Sequence, residues 1–529
     1  MQKRGLPLLL VLPLLFSCSG GNYEYEEVGN DGGANYEIFI RSFYDSNGDG
    51  IGDINGVTQK LPYLSELGIS NIWLMPFNES SSYHGYDVVD YYSIEKDYGT
   101  LDDMKNLIKE AKKYNIGIIM DLVINHCSSS NQWFTQSYKD YSEGYYGTDS
   151  KANWFNWAEN SRQGYNQYRN SGIYYESRFD RGMPDFNLDD GGVRNEIEKI
   201  SKFWIDLGIS GFRLDAVCYY YNEDSQNIEF LTWFNDMVKD YSSDFYIVGE
   251  AWTEFSSLQN YYDSGVDSFF NFNSALGGYN SKANIIPAVK TFTKAKYFGN
   301  SLQSMEDSIK EKNPNALSSY FLSNHDMDRA SKSFSGNTEK DANLAKLTAS
   351  VTYLLPGTPY IYYGEEIGLK GVRGENDGSD AKRRLPLIWS KDDKTGQCEF
   401  PEKNRKDLDN TVQVELGIED QLKTGYSLLN HYKKVLNIRN KYPFFKTGRY
   451  TNLSNDISDQ DEYIFAYKIV DGDKKIGVIH NFNDEAKTID VSSLFKGVLD
   501  SIDTVKVSPK FNGGKLTLAQ YSTAIMELN

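Results

Sequence analysis

Two hydrophobic regimes alternate along most of this chain. Short, near-continuous apolar runs occupy Tyr36–Phe43, Ile69–Pro76, Ile116–Ile124, Gly211–Val217, Phe245–Glu250, Val266–Phe272, Ser319–Ser323 and Thr358–Tyr363. Between them apolar residues recur every three or four positions, the period of a helix with one buried face. Val57, Leu61, Leu64 and Leu67 mark such a helix over Val57–Leu67, and Met104, Leu107, Ile108 and Ala111 mark another over Leu101–Tyr114. Val193–Leu207 and Ile228–Tyr241 read the same way. Strands that are apolar on both faces and separated by helices predict a parallel sheet covered on both sides. Eight of them predict closure into an α/β barrel rather than an open doubly wound sheet. No glycine-rich dinucleotide loop follows any of the eight runs, which argues the same way.

Two segments break the alternation. Residues 127–188 are long, aromatic and rich in Gly and Asn, too long for a structureless loop, and read as a subdomain inserted after the third strand. It divides the barrel into 36–126 and 189–442. From about Pro443 the helical pattern stops, and Tyr463–Ile469, Lys475–Asn481 and Ser522–Leu528 read as strands of a C-terminal β-sandwich over 443–529. At the other end, Lys3 and Arg4 precede an apolar run, Leu6–Phe16, far short of the roughly 20 residues a spanning helix needs.

Composition narrows the function. A formal net charge of −19 without a basic run excludes the usual electrostatic footprint of a nucleic-acid binder. Forty tyrosines fit either a compositional bias or stacking against the apolar face of sugars. Cys127, Cys218 and Cys398 show no paired spacing, hence neither a disulfide framework nor a zinc site.

The chemistry lies in where polar residues fall. Arg213 and Asp215 stand two apart in the fourth run, so both point to one face. Alone, such a pair serves a structural bridge as well as an active site. Yet Asn125 and His126 follow the third run, Glu250 closes the fifth, and Asn324, His325 and Asp326 follow the seventh. Strand C-termini of a barrel converge on one face, where active sites are built. Helix capping would explain any one of these residues but not four strand ends together. Three carboxylates without a Ser or Cys nucleophile suit cleavage of an acetal, which needs one carboxylate at the anomeric carbon and one carboxylic acid at the leaving oxygen. Metal-assisted hydrolysis uses similar residue types, but catalytic zinc wants a tighter ligand set.

Asp121-Leu-Val-Ile-Asn-His126, Gly211-Phe-Arg-Leu-Asp-Ala216, Gly249-Glu-Ala-Trp252 and Phe321-Leu-Ser-Asn-His-Asp326 resemble, in order, the four signature regions of the α-amylase family. Tyr83-His-Gly-Tyr-Asp87, Met183-Pro-Asp-Phe-Asn187 and Pro356–Glu365 resemble its auxiliary regions. The resemblance implies a (β/α)8 TIM barrel with a B domain after strand three and a C-terminal antiparallel β-sandwich. It implies a retaining glycoside hydrolase acting on α-1,4 bonds of starch, glycogen or maltodextrins. Asp215 would then be the nucleophile, Glu250 the general acid and base, and Asp326 the carboxylate that grips the sugar hydroxyls. Arg213 would orient Asp215, His84, His126 and His325 would hydrogen-bond the glucosyl unit, and Tyr86 would stack beneath it. Three of the chain's five histidines sit at these positions. Many endo-acting relatives carry Lys-His after the nucleophile, contacting the sugar on the leaving-group side; this chain has Cys218-Tyr219 there, which leaves 4-α-glucanotransferase, α-glucosidase or neopullulanase-type activity open. A non-catalytic starch-binding lipoprotein is the alternative of another class.

Asp45-Ser-Asn-Gly-Asp-Gly-Ile-Gly-Asp53 places oxygen side chains at its first, third, fifth and ninth positions and Gly at its sixth, a spacing that suits Ca²⁺. The ligands would be Asp45, Asn47, Asp49, the Ile51 carbonyl and Asp53; a plain Gly/Asp turn is the alternative. A second Ca²⁺ between barrel and B domain, through Asn125 and Asp185, is implied by the resemblance alone. Leu15-Phe-Ser-Cys18 resembles the lipobox of bacterial lipoproteins, which implies a signal segment over 1–18, a lipid on Cys18 and a flexible tether over 19–35. An ordinary cleaved signal peptide is the alternative. The expected form is an exported monomer held to a bacterial membrane by that lipid.

Overall fold

The computed structural model describes residues 31–529 except 276–281, 292, 337, 374–379 and 401–413. The signal segment, Cys18 and most of the tether lie outside the described residues.

Eight parallel strands form the central sheet: β1 Asn35–Ile38, β2 Asn71–Leu74, β3 Gly117–Leu122, β4 Gly211–Leu214, β5 Tyr246–Gly249, β6 Ser268–Phe270, β7 Leu317–Ser319 and β8 Tyr360–Tyr362. They pair in chain order, with β8 returning to β1 through Tyr36↔Ile361. The last seam, between β7 and β8, closes by a Phe321↔Tyr360 bridge and by the Thr358 amide donating to the Ser318 carbonyl at 2.7 Å. The barrel is filled by Trp73, Ile119, Val248, Phe270, Phe321 and Tyr360. Alternate strand residues face outward onto the helices. Phe212 of β4, for example, meets Phe234 of the helix Asp224–Tyr241 at 6.3 Å between ring centres.

The helix read over Val57–Leu67 is two, Ile54–Gln59 and Leu61–Leu67, because Pro62 starts a new helix where its missing N–H costs nothing. The seventh strand lies two residues earlier than its apolar signal. The tether is shorter than read, since Gly32 and Gly33 are buried and the Gly32 amide donates to Asn440 Oδ1 at 2.8 Å.

Residues 127–188 carry a helix, Gln132–Glu143, and a three-stranded antiparallel sheet. Its core is aromatic, with Phe134 stacked on Trp157 at 5.3 Å and edge-on to Tyr175 at 4.9 Å. After the helix Leu428–Lys441 come β9 Arg449–Asn452, β10 Ile464–Asp471, β11 Lys474–Asn481, β12 Lys487–Asp490, β13 Phe495–Ile502, β14 Lys510–Asn512, β15 Lys515–Leu518 and β16 Thr523–Leu528. They make two antiparallel sheets, β9-β10-β11-β16-β13 and β12-β15-β14, packed over Ile464, Ile479, Ile489, Leu516 and Met526.

Candidate active site

β4 stops at Leu214, and the next two residues make the turn on which the site depends. Ala216 has φ +52°, a left-handed conformation that costs a non-glycine residue about 1–2 kcal/mol. That turn ends the strand three residues before its apolar run does, so Ala216 lines the cleft and does not continue the outer face. The turn is tied to β5: the Glu250 amide donates to the Leu214 carbonyl at 2.9 Å, and the Ala216 amide donates to Glu250 Oε2 at 3.0 Å. Gly249 has to be small, because a Cβ there would stand 2.5 Å from the Phe269 ring.

Arg213 is fully buried at the centre. Its Nη1 reaches Asp121 Oδ1 at 2.8 Å and Asp215 Oδ1 at 2.6 Å. Its Nη2 lies 2.9 Å from Glu250 Oε2, close in charge but poorly aligned for a hydrogen bond. One guanidinium therefore fixes both Asp215 and Glu250. Burial pushes the Glu250 carboxyl up to about 8, with Asp215 and Asp326 adding to the rise and Arg213 opposing it. A carboxyl held that high is protonated at neutral pH and can donate. Burial also lifts Asp121 to about 6 against the pull of Arg213.

Asp326 is placed differently, with a third of its side chain open to the cleft. His325 Nε2 lies 3.0 Å from its Oδ2, and Arg384 Nη2 2.9 Å from its Oδ1. Burial would raise Asp326, but His325, Arg384 and Arg213 outweigh it and hold the carboxyl well below the usual range. Burial would likewise lower His325; Asp326 and Glu37 reverse this and raise it to about 10, with Glu37 Oε1 2.6 Å from Nδ1.

The cleft has a volume of about 670 Å³, and Tyr83, His84, Tyr86, His126, Asp215, Glu250, Asp326 and Arg384 are on its wall. Arg213 and His325 stand behind the wall and act through the residues they hold. Tyr86 stacks on His325 at 5.5 Å between ring centres, and its hydroxyl lies 2.6 Å from His325 Nε2. Burial and Arg384 lower His84 to about 4, so it is neutral at pH 7. His126 Nε2 is buried at the border of the cleft with no well-formed protein hydrogen bond.

Sequence reasoning missed Arg384, Asp380, Phe179 and Asp180, and gave no role to Met183 or Trp252 within the regions that contain them; all six line the cleft. Arg384 and Asp380 lie in an irregular segment after β8 that has no readable period. Glu37, the one acid of the first run, was a usable signal.

The Asp45–Asp53 loop lies apart from this cleft and is curled on its own amides. Asp45 accepts from Gly48 at 2.6 Å and from Gly50 at 2.8 Å, Asn47 from Asp49 at 2.9 Å, and Asp49 from Ile51 at 2.8 Å. Asp53 caps the helix Ile54–Gln59 through the Gly56 amide at 2.7 Å. Among the described residues no three Asp, Glu, His or Cys side chains converge closely enough to hold a metal.

A family model described as the alpha amylase catalytic domain matches residues 37–448. The chain belongs to the α-amylase family. Alpha-amylase 3 of Dictyoglomus thermophilum is 36% identical over 99% of this chain and 98% of its own length. An oligo-1,6-glucosidase of Parageobacillus thermoglucosidasius is 30% identical over 85% of this chain and 90% of its own. The solved structure of Eubacterium rectale Amy13B superposes with a TM-score of 0.86 at 35% identity, covering 96% of this chain and 97% of that one. This α-amylase-family protein is thus a glycoside hydrolase acting on α-glucans.

Proposed function

We propose that the enzyme cleaves α-1,4 bonds of maltooligosaccharides or starch with retention, using Asp215 as nucleophile and Glu250 as acid and base. The observation that carries this is the single Arg213 fork joining the two carboxylates. Both touch one guanidinium and so stand side by side, and a close pair, roughly 5–5.5 Å apart, is what the retaining mechanism uses. Glu250 gives its proton to the glycosidic oxygen as Asp215 attacks the anomeric carbon, the C–O bond to the leaving sugar breaks, and a β-glycosyl ester forms. Glu250, now a carboxylate, takes a proton from water. That water adds to the anomeric carbon, and the ester bond to Asp215 breaks. Asp326 and Arg384 grip the hydroxyls of the same sugar, His84 and His126 Nε2 supply further hydrogen bonds, and Tyr86 lies under its apolar face.

A sugar hydroxyl in place of water gives the 4-α-glucanotransferase reaction. Phe179 and Tyr219, exposed rings meeting at 5.1 Å at the cleft mouth, favour keeping that second reading, since they offer an acceptor sugar a stacking surface. Maltoheptaose separates the two: shorter products born as α-anomers by NMR support hydrolysis with retention, products longer than the substrate support transfer, and β-anomers would overturn the double displacement.

Two further readings belong to the same proposal. Ca²⁺ would be held by the hard oxygens of Asp45, Asn47, Asp49 and the Ile51 carbonyl, with Asp53 behind them, and would supply a brace for the loop away from the reacting atoms. Its donor chemistry fits, because Asp45 Oδ2, Asn47 Oδ1 and Asp49 Oδ1 each accept one amide and retain a second lone pair, whereas Asp45 Oδ1 already accepts two. The mature chain carries a lipid on Cys18 and works at a bacterial membrane surface. Cys18→Ala, followed by fractionation, checks the anchor: the variant is expected in the soluble fraction, the parent with membranes.

A further inference from the structure

The second cation site implied between barrel and B domain is where the structure departs most usefully from expectation. Asn125 and Asp185 do lie together, with Asn125 Nδ2 3.4 Å from Asp185 Oδ1. The cation beside them is a side chain. Arg178 Nε lies 3.6 Å from Asp185 Oδ2, and its Nε and Nη2 donate to Glu176 Oε1 at 3.0 and 2.9 Å. Its Nη1 donates across the domain boundary to the carbonyls of Tyr219 at 2.9 Å and Tyr221 at 3.1 Å. Two carboxylates from one domain and two carbonyls from the other make an oxygen shell of the kind a hard metal ion would take. Here a guanidinium fills it. A divalent ion at the same carboxylates would meet that fixed positive charge at contact distance, so the residues present do not fit a metal there.

We infer that Arg178 is a built-in replacement for an interdomain metal, a positioning residue that clamps the B domain to the loop after the nucleophile. Tyr219 and Tyr221 follow Asp215 by only a few residues, so the clamp sets the leaving-group side of the cleft. Phe179, next in chain to Arg178, packs edge-on to Tyr219 at 5.1 Å and reaches the His126 ring at 5.4 Å. The clamp thereby fixes where those two exposed rings stand. Arginine suits the task because its planar fork serves carboxylates and carbonyls at once and keeps its charge at any working pH. Unlike a metal, it cannot be stripped by a chelator.

The kinetic part of the test rests on the glycosidase reading; the exchange part does not. In Arg178→Met, amide hydrogen exchange over residues 176–185 and 217–222 is expected to rise, because both segments lose their shared anchor. Cleavage of long maltooligosaccharides, which need the leaving-group side, is expected to fall about 10- to 100-fold in kcat/KM through misplacement of that side. Turnover of an α-maltooligosyl fluoride, whose leaving group is a single atom, is expected to change far less. Arg178→Lys retains charge without the fork and is expected to fall between the two. The inference is overturned if Arg178→Met leaves exchange in both segments at the parent level. It is overturned also if the two substrates lose turnover equally, or if a chelator deprotects these segments in the parent enzyme. Absence of all activity on α-glucans in the parent would instead count against the proposed function, with the exchange result still deciding the clamp.

Discussion

Arg213 and Arg439 are both fully buried arginines, and they are buried for opposite reasons. Arg439 meets only neutral oxygens: it donates to the carbonyls of Gly32 at 2.6 Å, Tyr353 at 3.0 Å and Leu355 at 2.7 Å, and to that of Gly357. Burial lowers it to about 9, and its nitrogens are spent on stitching the entry to β1 and the turn before β8 onto the last barrel helix. Arg213 meets three carboxylates, yet its Nε finds no partner and its Nη2 is badly aligned. A cation kept for structure is saturated with fixed dipoles. Arg213 is surrounded by carboxylates, among them one raised by burial to about 8, and its own nitrogens are left incompletely satisfied.

The largest expected effect tests the chemical member of the pair. Asp215→Asn should lower turnover by about four orders of magnitude, the usual scale for losing a nucleophile. The melting temperature should not drop, because Arg213 keeps Asp121 and Glu250. A variant that stays active would remove Asp215 from the reaction. Arg439→Met should do the reverse. It strands four buried carbonyls and should cost about 3–5 kcal/mol in urea unfolding while leaving turnover per folded molecule unchanged. Stability equal to the parent's would mean that the two arginines do not differ as argued.

The next effect is graded by pH. Glu250 is raised from 4.5 to about 8, so the folded enzyme holds a proton there that the unfolded chain releases above 4.5. The stability this contributes is full below the unfolded value and is lost as pH rises through the folded one. Two outcomes follow. The rate should fall on a basic limb near pH 8, as the acid loses its proton. In Glu250→Gln the decline of stability between about pH 4.5 and 8 should flatten relative to the parent, measured by urea midpoints across that range. Superimposable slopes would show that Glu250 ionises normally.

How much of this was legible in the sequence depended on what each residue packs against. Strands buried on both faces announce themselves as apolar runs, and the barrel could be read from them. β7 was misplaced because two of its three residues are polar: Ser318 donates to Glu306 at 2.6 Å, and Ser319 shares a hydrogen bond with Thr358 at 3.2 Å, so the apolar signal came from Phe321 and Leu322 just beyond. The cleft carboxylates Asp215, Glu250 and Asp326 were legible because each stands in or just after an apolar run. Arg384 was not, since it arrives from an irregular segment whose only order is tertiary. Arg178 was hidden for a similar reason. Its carbonyl partners lie some forty residues away, and the nearby side chains suggested a metal where the fold supplies its own charge.

A third way to hold a cation is to borrow one from solvent, and the Asp45–Asp53 loop is the candidate. Its carboxylates already accept the loop's own amides, so Ca²⁺ would add to a turn that is partly self-supporting. The loop also sits at the surface, where less is lost if it opens. The effect of removal should therefore be the smallest of the four. Ca²⁺ at about 100 times its dissociation constant would contribute roughly 2.7 kcal/mol, and chelation should lower the melting temperature by a few degrees without moving the basic limb of the rate. Asp45→Asn with Asp49→Asn should abolish that response. Asp45 alone accepts three amides, at 3.1, 2.6 and 2.8 Å. If chelation leaves the parent's melting temperature unmoved, those three bonds hold the turn by themselves, and the borrowed cation is struck from the comparison.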